Sequence, residues 1–319
     1  MRVTPDASRK AIRLADSALN WAVLAGLVLL FALAGYAMWD RTQVYDAASA
    51  AQYQQYEPDN ADGIDSLAQL QAINPDVIGW LQVYGTPINY PLVQGPDDMK
   101  YLNTNAKGAY SLSGAIFLSW INQKDFSDFN NIIYGHHMDH EAMFGSLTDF
   151  EDPAFFAARE YGMIYFGGRE HGLQFFASIH DDAYDTSVYR VAHTDSADRQ
   201  AYLNNLMSYA VNTRSHVTVT PDDQIVLLST CASSSTNGRD ILVGKILATV
   251  PPDPFPPASH TWDDVEATVV QLPKMWARVA HWWWVVALVT AGTWGALTIT
   301  ARRQRPATPR HQMSEGEST

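Results

Sequence analysis

The chain has very little cysteine: Cys231 is its only one among 319 residues. A single cysteine cannot form a disulfide within the chain, which excludes a fold held together by internal disulfides. The thiol is therefore a small buried side chain, a link to a second molecule or a reactive group. Cys231 follows the apolar run QIVLLST at 224–230 and precedes the loop-like ASSSTNG at 232–238. That position, at a predicted strand end, would let a substrate reach the thiol.

Positive charge is also scarce. The chain carries 21 Lys and Arg against 34 Asp and Glu, a formal net charge of −13 at pH 7. Proteins bind nucleic acids largely through Lys and Arg that neutralise phosphates. The charge balance therefore argues against a nucleic-acid partner, and we expect none.

Charged residues are absent from two long stretches, 21–38 and 282–300. Each has about the length of 20 residues that a helix needs to cross the hydrocarbon core of a membrane. Basic residues lie on the side of each stretch that is nearer the chain terminus. This predicts that both termini are cytoplasmic and that the segment between the two stretches is extracytoplasmic. A cleaved signal peptide is the alternative for the first stretch and a buried core helix for the second. The flanking residues are Arg9, Lys10, Arg13, Arg302, Arg303 and Arg305.

These features predict a plasma-membrane protein that contacts membrane lipid. They also predict the succession of segments along the chain. A Pro-rich run, VPPDPFPPAS at 250–259, is typical of a stiff spacer. The predicted segments are a basic cytoplasmic tail (1–18), a transmembrane helix (19–39), a stalk (40–64), a folded domain (65–250), a spacer with a juxtamembrane segment (251–281), a second transmembrane helix (282–300) and a second basic tail (301–319).

The folded domain has the pattern of a β protein. Short runs rich in Val, Ile, Tyr and Phe are bounded by Gly, Asn, Asp or Pro, as is typical of strands. They do not alternate regularly with helices, which favours a closed or nearly closed β-barrel with peripheral helices. One such helix is predicted over 194–214, with Thr194 or Ser196 as its cap. The predicted strands are 77–85, 88–93, 114–120, 131–135, 162–168, 173–180, 216–220, 224–230 and 241–250.

Two further groups could act together with the thiol. His136 follows the strand-like run NIIYG, and Arg239 begins the strand-like run after the Cys231 loop. A thiolate is the nucleophilic form of cysteine, and nearby cations favour it. An arginine can stabilise negative charge developing on a carbonyl oxygen, and a histidine can transfer protons. The alternative for Arg239 is a solvated surface arginine.

The histidines also suggest a metal site. His136, His137, His140 and Glu141 lie within six positions of one another, and two of the histidines are four residues apart. The second histidine of an H-E-x-x-H zinc motif is absent, however, and no cysteine pair is available. We therefore expect no metal here.

Three separated motifs resemble those of class B sortases. They are LSTC at 228–231 followed by Arg239, IYGHHM at 133–138 followed by MFGSL at 143–147, and INPDVIGWLQVYGTPINYPLVQGPDD at 73–98 followed by YL at 101–102. The resemblance covers about residues 66–250. Sortases are membrane-anchored cysteine transpeptidases of Gram-positive bacteria. The resemblance implies an eight-stranded β-barrel, here flanked by two transmembrane helices.

The resemblance also implies roles for individual residues. Cys231 would be the nucleophile, His136 the general acid and base, and Arg239 the group that stabilises the oxyanion. The enzyme would cleave the C-terminal sorting signal of a secreted protein through a thioacyl intermediate and join the protein to a peptidoglycan precursor amine. No metal or organic cofactor is needed for this chemistry. The groove for the sorting signal would be lined by Leu102, Tyr134 and Ser229.

The sequence departs from the family pattern at two places. Ser119 stands where the family commonly has an acidic residue, and a second membrane span is more usual in class C enzymes, which polymerise pilins. The alternatives are therefore a pilin-polymerising enzyme that uses a pilin lysine as its amine, and a non-catalytic module that docks surface proteins.

Overall fold

Nine β-strands and four α-helices form the part of the chain that this computed structural model describes, which is residues 5–58, 66–139, 141–231 and 237–255. The helices are α1 (Pro5–Ala48), α2 (Ser66–Ile73), α3 (Pro153–Ala158) and α4 (Ser196–Ser208). The strands are β1 (Val77–Val83), β2 (Asn89–Val93), β3 (Ile116–Leu118), β4 (Asn130–Tyr134), β5 (Tyr161–Phe166), β6 (Arg169–Asp182), β7 (Ala210–Thr213), β8 (Ile225–Cys231) and β9 (Gly238–Leu247).

Eight of these strands close into a barrel. Their order is β5-β1-β2-β3-β4-β8-β9-β6, and β6 pairs back onto β5, while β7 is added to β6 outside the ring. The β2–β3 and β4–β8 pairs are parallel and the other neighbours are antiparallel. The predicted mostly-β fold, an eight-stranded barrel with peripheral helices, is confirmed.

The strand that ends at Cys231 is buried on both faces. Val226 and Leu228 point into the barrel core, whereas Ile225 and Leu227 belong to an outer apolar cluster that includes Leu203 and Leu206 of α4. A strand covered on both faces has a continuous apolar sequence rather than an alternating one. This accounts for the run IVLL that ends β8 in the sequence.

Two sequence-based expectations for the region around α4 are wrong. The predicted strand at 216–220 is not one: Val217 and Val219 pack against the outer cluster but belong to no strand, and the strand lies earlier, at β7. The alternation of valines reflected one-sided burial, which a packed loop can also provide. The cap of α4 is Asp195, whose carboxylate accepts the amide of Asp198, rather than Thr194 or Ser196.

Helix α1 contains the predicted first membrane span. The window Ile12–Ala37 has a mean hydropathy of 2.1 and none of it is buried, and it is the one segment among the described residues long and apolar enough to cross a membrane. The predicted second span at 282–300 and the second tail lie in 256–319, outside the described residues.

Part of the predicted stalk packs on the barrel. The hydroxyl of Tyr90 donates to the carbonyl of Ala48 at 2.9 Å, and Tyr45 donates to Asp139 at 3.1 Å. Ala48 and Tyr53 are buried members of the barrel core cluster. The end of α1 and the short 3-10 turns that follow it are therefore attached to the folded domain, while 59–65 lie outside the described residues.

Candidate active site

Strand pairing brings Cys231 and Arg239 together. In the antiparallel β8–β9 pair, Ser229 lies opposite Ile241 and Cys231 lies opposite Arg239. The Cα atoms of such partners are about 4.5–5.5 Å apart. The two residues that the sequence separates by a loop are therefore direct neighbours at the loop end of one hairpin. The loop between them, 232–236, lies outside the described residues.

The parallel pairing of β4 with β8 brings His136 to the same place. Tyr134 is the partner of Ser229, and the amide of Gly135 donates to the carbonyl of Ser229 at 3.2 Å. Two further residues along each chain lead to His136 and Cys231. Because parallel strands run in the same direction, their carboxyl ends reach the same edge of the barrel, and His136 arrives beside the end of β8.

The imidazole of His136 has a defined orientation. Its Nε2 lies 2.8 Å from the carbonyl oxygen of Leu102. A carbonyl can only accept, so Nε2 carries the hydrogen and the lone pair of the neutral ring is on Nδ1. The backbone carbonyl of His136 in turn accepts the amide of Phe144 at 3.0 Å. The half-buried ring is thus held at one nitrogen and keeps Nδ1 for proton transfer.

Aromatic and hydroxyl groups line the surface next to these residues. Tyr134 stacks on Tyr189 with ring centroids 6.2 Å apart, and the hydroxyls of Tyr189 and Ser229 are 3.0 Å apart. Burial raises the pKa of the Tyr134 phenol, as do Asp98 and Tyr189, whereas the positive charge of Arg239 opposes this rise. The guanidinium of Arg239 therefore lies within electrostatic range of the Tyr134 phenol.

Leu102 is one of the three residues expected to line the groove. Its side chain is half-buried and packs against the barrel core, while its backbone carbonyl contacts the His136 ring. The contact of this carbonyl with His136 was not predicted from the sequence. Tyr189 was missed as well, because the segment between β6 and α4 has no periodic pattern that could mark it.

A carboxylate is present near Ser119 although the expected acidic residue is not. The side chain of Asp98 accepts the Ser119 hydroxyl at 3.1 Å and the Trp120 amide at 2.8 Å. Asp98 comes from the QGPDD segment, which sequence analysis quoted without assigning it a role. The negative charge at this position is therefore supplied by another part of the chain.

The histidines that suggested a metal have other contacts. The ring of His136 faces Leu102, as described above, and Nδ1 of His137 lies 3.4 Å from the hydroxyl of Thr148. Glu141 is exposed on a turn, with φ of 57°. His140 lies outside the described residues.

Comparison with known proteins finds sortases by sequence and by structure, although no family model matches the chain. The chain is 32% identical to sortase B of Listeria monocytogenes over 190 residues, which is 59% of this chain and 76% of that protein. The structure of a sortase B from the type II pilus of Streptococcus pneumoniae is 44% identical, with a TM-score of 0.51 over 57% of this chain and 98% of that one. A Streptococcus pyogenes class B sortase involved in pilus biogenesis is 35% identical, with a TM-score of 0.52 over 56% and 97%.

The sequence similarity covers three quarters of the Listeria protein, and the structural similarity covers nearly all of the two streptococcal chains. The similarity is therefore found independently in sequence and in structure. The chain belongs to the class B sortases, and it is a sortase transpeptidase.

Proposed function

We propose that Cys231, His136 and Arg239 carry out the transpeptidation. The observation that supports this most directly is the pairing of Cys231 with Arg239 at the end of β8, beside the oriented imidazole of His136. A nucleophile, a proton carrier and a fixed positive charge then share one edge of the barrel. These are the parts that acyl transfer through a thiol requires.

In the first half-reaction, the Cys231 thiol gives its proton to Nδ1 of His136, and the resulting thiolate attacks a backbone carbonyl of the sorting signal and forms a carbon–sulfur bond. The guanidinium of Arg239 stabilises the negative charge that develops on the carbonyl oxygen. The carbon–nitrogen bond then breaks, and the departing amine takes a proton from Nδ1 of His136. The product is a thioester between Cys231 and the secreted protein.

In the second half-reaction, an amine attacks the thioester and gives its proton to Nδ1 of His136. The carbon–sulfur bond breaks, Cys231 is regenerated as the thiolate, and a new amide is formed. The proton that His136 gains here replaces the one that it gave to the departing amine. The protons therefore balance without a metal or another cofactor. Tyr134, Tyr189 and Ser229 form the adjacent wall along which the sorting peptide is bound.

Intact-mass measurements on the full chain in detergent micelles test this assignment. Incubation with a library of sorting-signal peptides is expected to give a thioester adduct in the wild type and none in Cys231→Ala. His136→Ala is expected to lose turnover, while the exposed His216→Ala serves as a matched control that retains it. An adduct in Cys231→Ala would overturn the assignment, and peptide binding without any adduct in the wild type would favour the docking module.

The acceptor amine separates two candidate functions, attachment to the cell wall and pilin polymerisation. The two pilus-associated structures are 44% and 35% identical to this chain, against 32% for the Listeria sortase B. This difference supports a pilin lysine as the acceptor. A peptidoglycan amine is the competing acceptor, and both use the same thioester.

Competition between amines distinguishes these functions. The thioester is formed with one sorting peptide and divided among a lysine-containing pilin peptide, oligoglycine and a diaminopimelate stem peptide. Faster resolution by the lysine peptide than by the other two supports polymerisation. Preference for oligoglycine or the stem peptide would instead assign the chain to wall attachment.

We further propose that the chain is anchored by α1 and by 282–300, with both termini in the cytoplasm and the barrel outside. The apolar window of α1 and the basic residues that precede it support the first anchor. The second rests on its uncharged sequence and the following ARRQR. Both substrates of the reaction would then meet the barrel at the outer surface of the plasma membrane.

A further inference from the structure

A second cluster of polar side chains lies on the opposite face of the same strands. It consists of Glu151, at the end of the 3-10 helix Gly145–Glu151, His180 of β6 and Asp240 of β9. One ligand atom of each lies within 4.8 Å of the others. Asp240 directly follows Arg239, and alternation along β9 directs its side chain to the other face of the sheet. The proposed transpeptidation does not use any of these three groups.

Two distances in this cluster are close to the edges of a metal coordination shell. His180 Nδ1 lies 2.9 Å from Asp240 Oδ1 and 3.1 Å from Glu151 Oε1. Two ligand atoms that are each about 2.1 Å from one ion are about 3.0 Å apart at a right angle and about 3.4 Å apart at a tetrahedral angle. When the imidazole is neutral, one divalent cation balances the negative charges of the two carboxylates.

The cluster also has a preorganised buried ligand. The side chain of Asp240 is 3% exposed, and its second oxygen, Oδ2, accepts the Thr148 hydroxyl at 2.7 Å. That hydrogen bond orients the carboxylate and leaves Oδ1 towards His180. Hydrogen bonds of this kind, from outside the ligand shell, increase the metal affinity of carboxylate ligands. Glu151 is exposed, so its carboxylate can adjust to close the shell.

An unpartnered hydroxyl points to a ligand independently of the three groups. Thr230 is the cross-strand partner of Asp240, and Asp240 is the partner of His180, so these three side chains share one face of three adjacent strands. Thr230 is 2% exposed, and its hydroxyl has no hydrogen-bond partner within the described part of the chain. Buried hydroxyls are normally satisfied, and one that is not needs an explanation.

We propose that Glu151, His180 and Asp240 bind a divalent transition-metal ion, with the Thr230 hydroxyl facing the same site. One imidazole with two carboxylates suits Zn²⁺ or Mn²⁺ better than Ca²⁺ or Mg²⁺, which favour oxygen ligands alone. The ion connects the 3-10 helix to β6 and β9 at the residue next to Arg239. It is a structural ion on the far face of the sheet and takes no part in the thiol chemistry.

Metal titration of the full chain in detergent micelles, after removal of bound metal with a chelator, tests the proposal. Isothermal titration with ZnCl₂ and MnCl₂ is expected to show a site whose Kd increases at least about tenfold in Glu151→Gln and in His180→Gln. The matched control is His216→Gln, which is expected to keep the wild-type Kd. His216 faces Glu160 at 3.1 Å, and the described residues contain no group of three ligands that includes it. The metal site should also persist in Cys231→Ala. Failure of the metal proposal is therefore distinguishable from failure of the proposed catalysis.

Thermal unfolding gives a second readout, because an ion that binds the folded chain raises its Tm. The Zn²⁺-dependent rise is expected in the wild type and in His216→Gln, and it should be lost in Glu151→Gln, whose altered side chain is exposed and leaves the core intact. Equal Kd values in all variants would place the ion elsewhere in the chain. Absence of binding in the wild type would show that the cluster is only an ion pair around a protonated His180, and either result overturns the proposal.

Discussion

His136 illustrates how a backbone group can determine the chemistry of a side chain. The Leu102 carbonyl accepts from Nε2, which leaves Nδ1 as the nitrogen for the proposed proton transfer. In a Ser-His-Asp triad, a carboxylate orients the histidine in the same way. Here the orienting atom belongs to the main chain, so substitution of the Leu102 side chain leaves this hydrogen bond in place and changes only the packing around it.

The stabilisation of the oxyanion by Arg239 is testable with two substitutions. Arg239→Ala removes the positive charge, and we expect kcat/KM for sorting-peptide cleavage to fall by about 10²–10³-fold, as for other oxyanion donors. Arg239→Lys keeps the charge but loses the planar pair of donors, so its activity should lie between those of the wild type and Arg239→Ala.

The control for this pair is Arg169→Ala, which removes an exposed arginine at the start of β6. It carries the same change of net charge and is expected to cleave peptides like the wild type. Wild-type kcat/KM in Arg239→Ala would contradict the proposed role of the guanidinium.

His193 should make the stability of the outer cluster depend on pH. Its side chain is 1% exposed and contacts the rings of Phe129 and Tyr202. Burial lowers the pKa of His193 below 6.5, and the positive charge of Arg190 adds to this effect. The unfolded chain therefore takes up the proton first as the pH falls. The stabilising contribution is complete above pH 6.5 and is lost as the pH falls through the lowered pKa of the folded state.

Urea unfolding of the wild type and of His193→Phe, at several pH values from above 6.5 down to about 5, measures this contribution. Phe retains the aromatic contacts but cannot be protonated, so the free energy of unfolding should decline less steeply with falling pH in the variant. Identical slopes in the two proteins would show that His193 does not titrate differently on folding.

Among the secondary-structure elements, the turn after β4 controls the position of His136. A Cβ atom at Gly135 would lie 2.5 Å from Cδ1 of Ile116 and 2.7 Å from Cδ2 of Phe144. Gly135→Ala should therefore lower the free energy of unfolding by about 1–3 kcal/mol, as overpacking does in other cores. Because His136 is the next residue, we also expect peptide cleavage to fall.

Urea unfolding and peptide cleavage on the same samples check this expectation. The double variant Gly135→Ala with Ile116→Val removes the atom that the new methyl group meets first, so it should recover part of both losses. Wild-type stability and cleavage in Gly135→Ala alone would mean that the turn can shift without disturbing His136.

The elements that hold the proposed catalytic residues were predictable from the sequence for a physical reason. Strand β8 is buried on both faces, which gives a continuous apolar run whose end can be located at Cys231. The end of β4 is similarly marked by Gly135, and the start of β9 by the polar loop before Arg239. The segment at 216–220 was not predictable, because one-sided burial produces the same alternation in an unpaired loop as in a strand.

Contacts between elements could not be predicted in the same way. Tyr189 reaches Ser229 from a segment without a pattern, and Asp98 reaches Ser119 from a turn 21 positions earlier. The contact of Thr148 with Asp240 spans 92 positions and depends on how the 3-10 helix packs on the barrel. Such contacts follow from strand register and packing, which a single sequence does not contain.

At the scale of the whole molecule, the proposed membrane topology rests on the distribution of charged residues and on the length of the apolar segments. The apolar window of α1 follows basic residues, and the end of the same helix packs directly on the barrel through Ala48. If α1 crosses the membrane, the barrel begins at the side on which α1 emerges. Basic residues near a span favour the cytoplasmic side, so the proposed topology has the barrel outside.

Thiol labelling of intact protoplasts tests this topology, because the native chain has only one cysteine to replace. In a Cys231→Ser background, Ser196→Cys places a thiol at an exposed position at the start of α4. We expect a membrane-impermeant maleimide to label it without permeabilisation. Ser8→Cys and Ser314→Cys, each in the same background, should be labelled only after permeabilisation, because basic segments at both ends hold the termini inside. Labelling of Ser314→Cys from outside would show that residues 282–300 do not cross the membrane, and protection of Ser196→Cys would place the barrel in the cytoplasm.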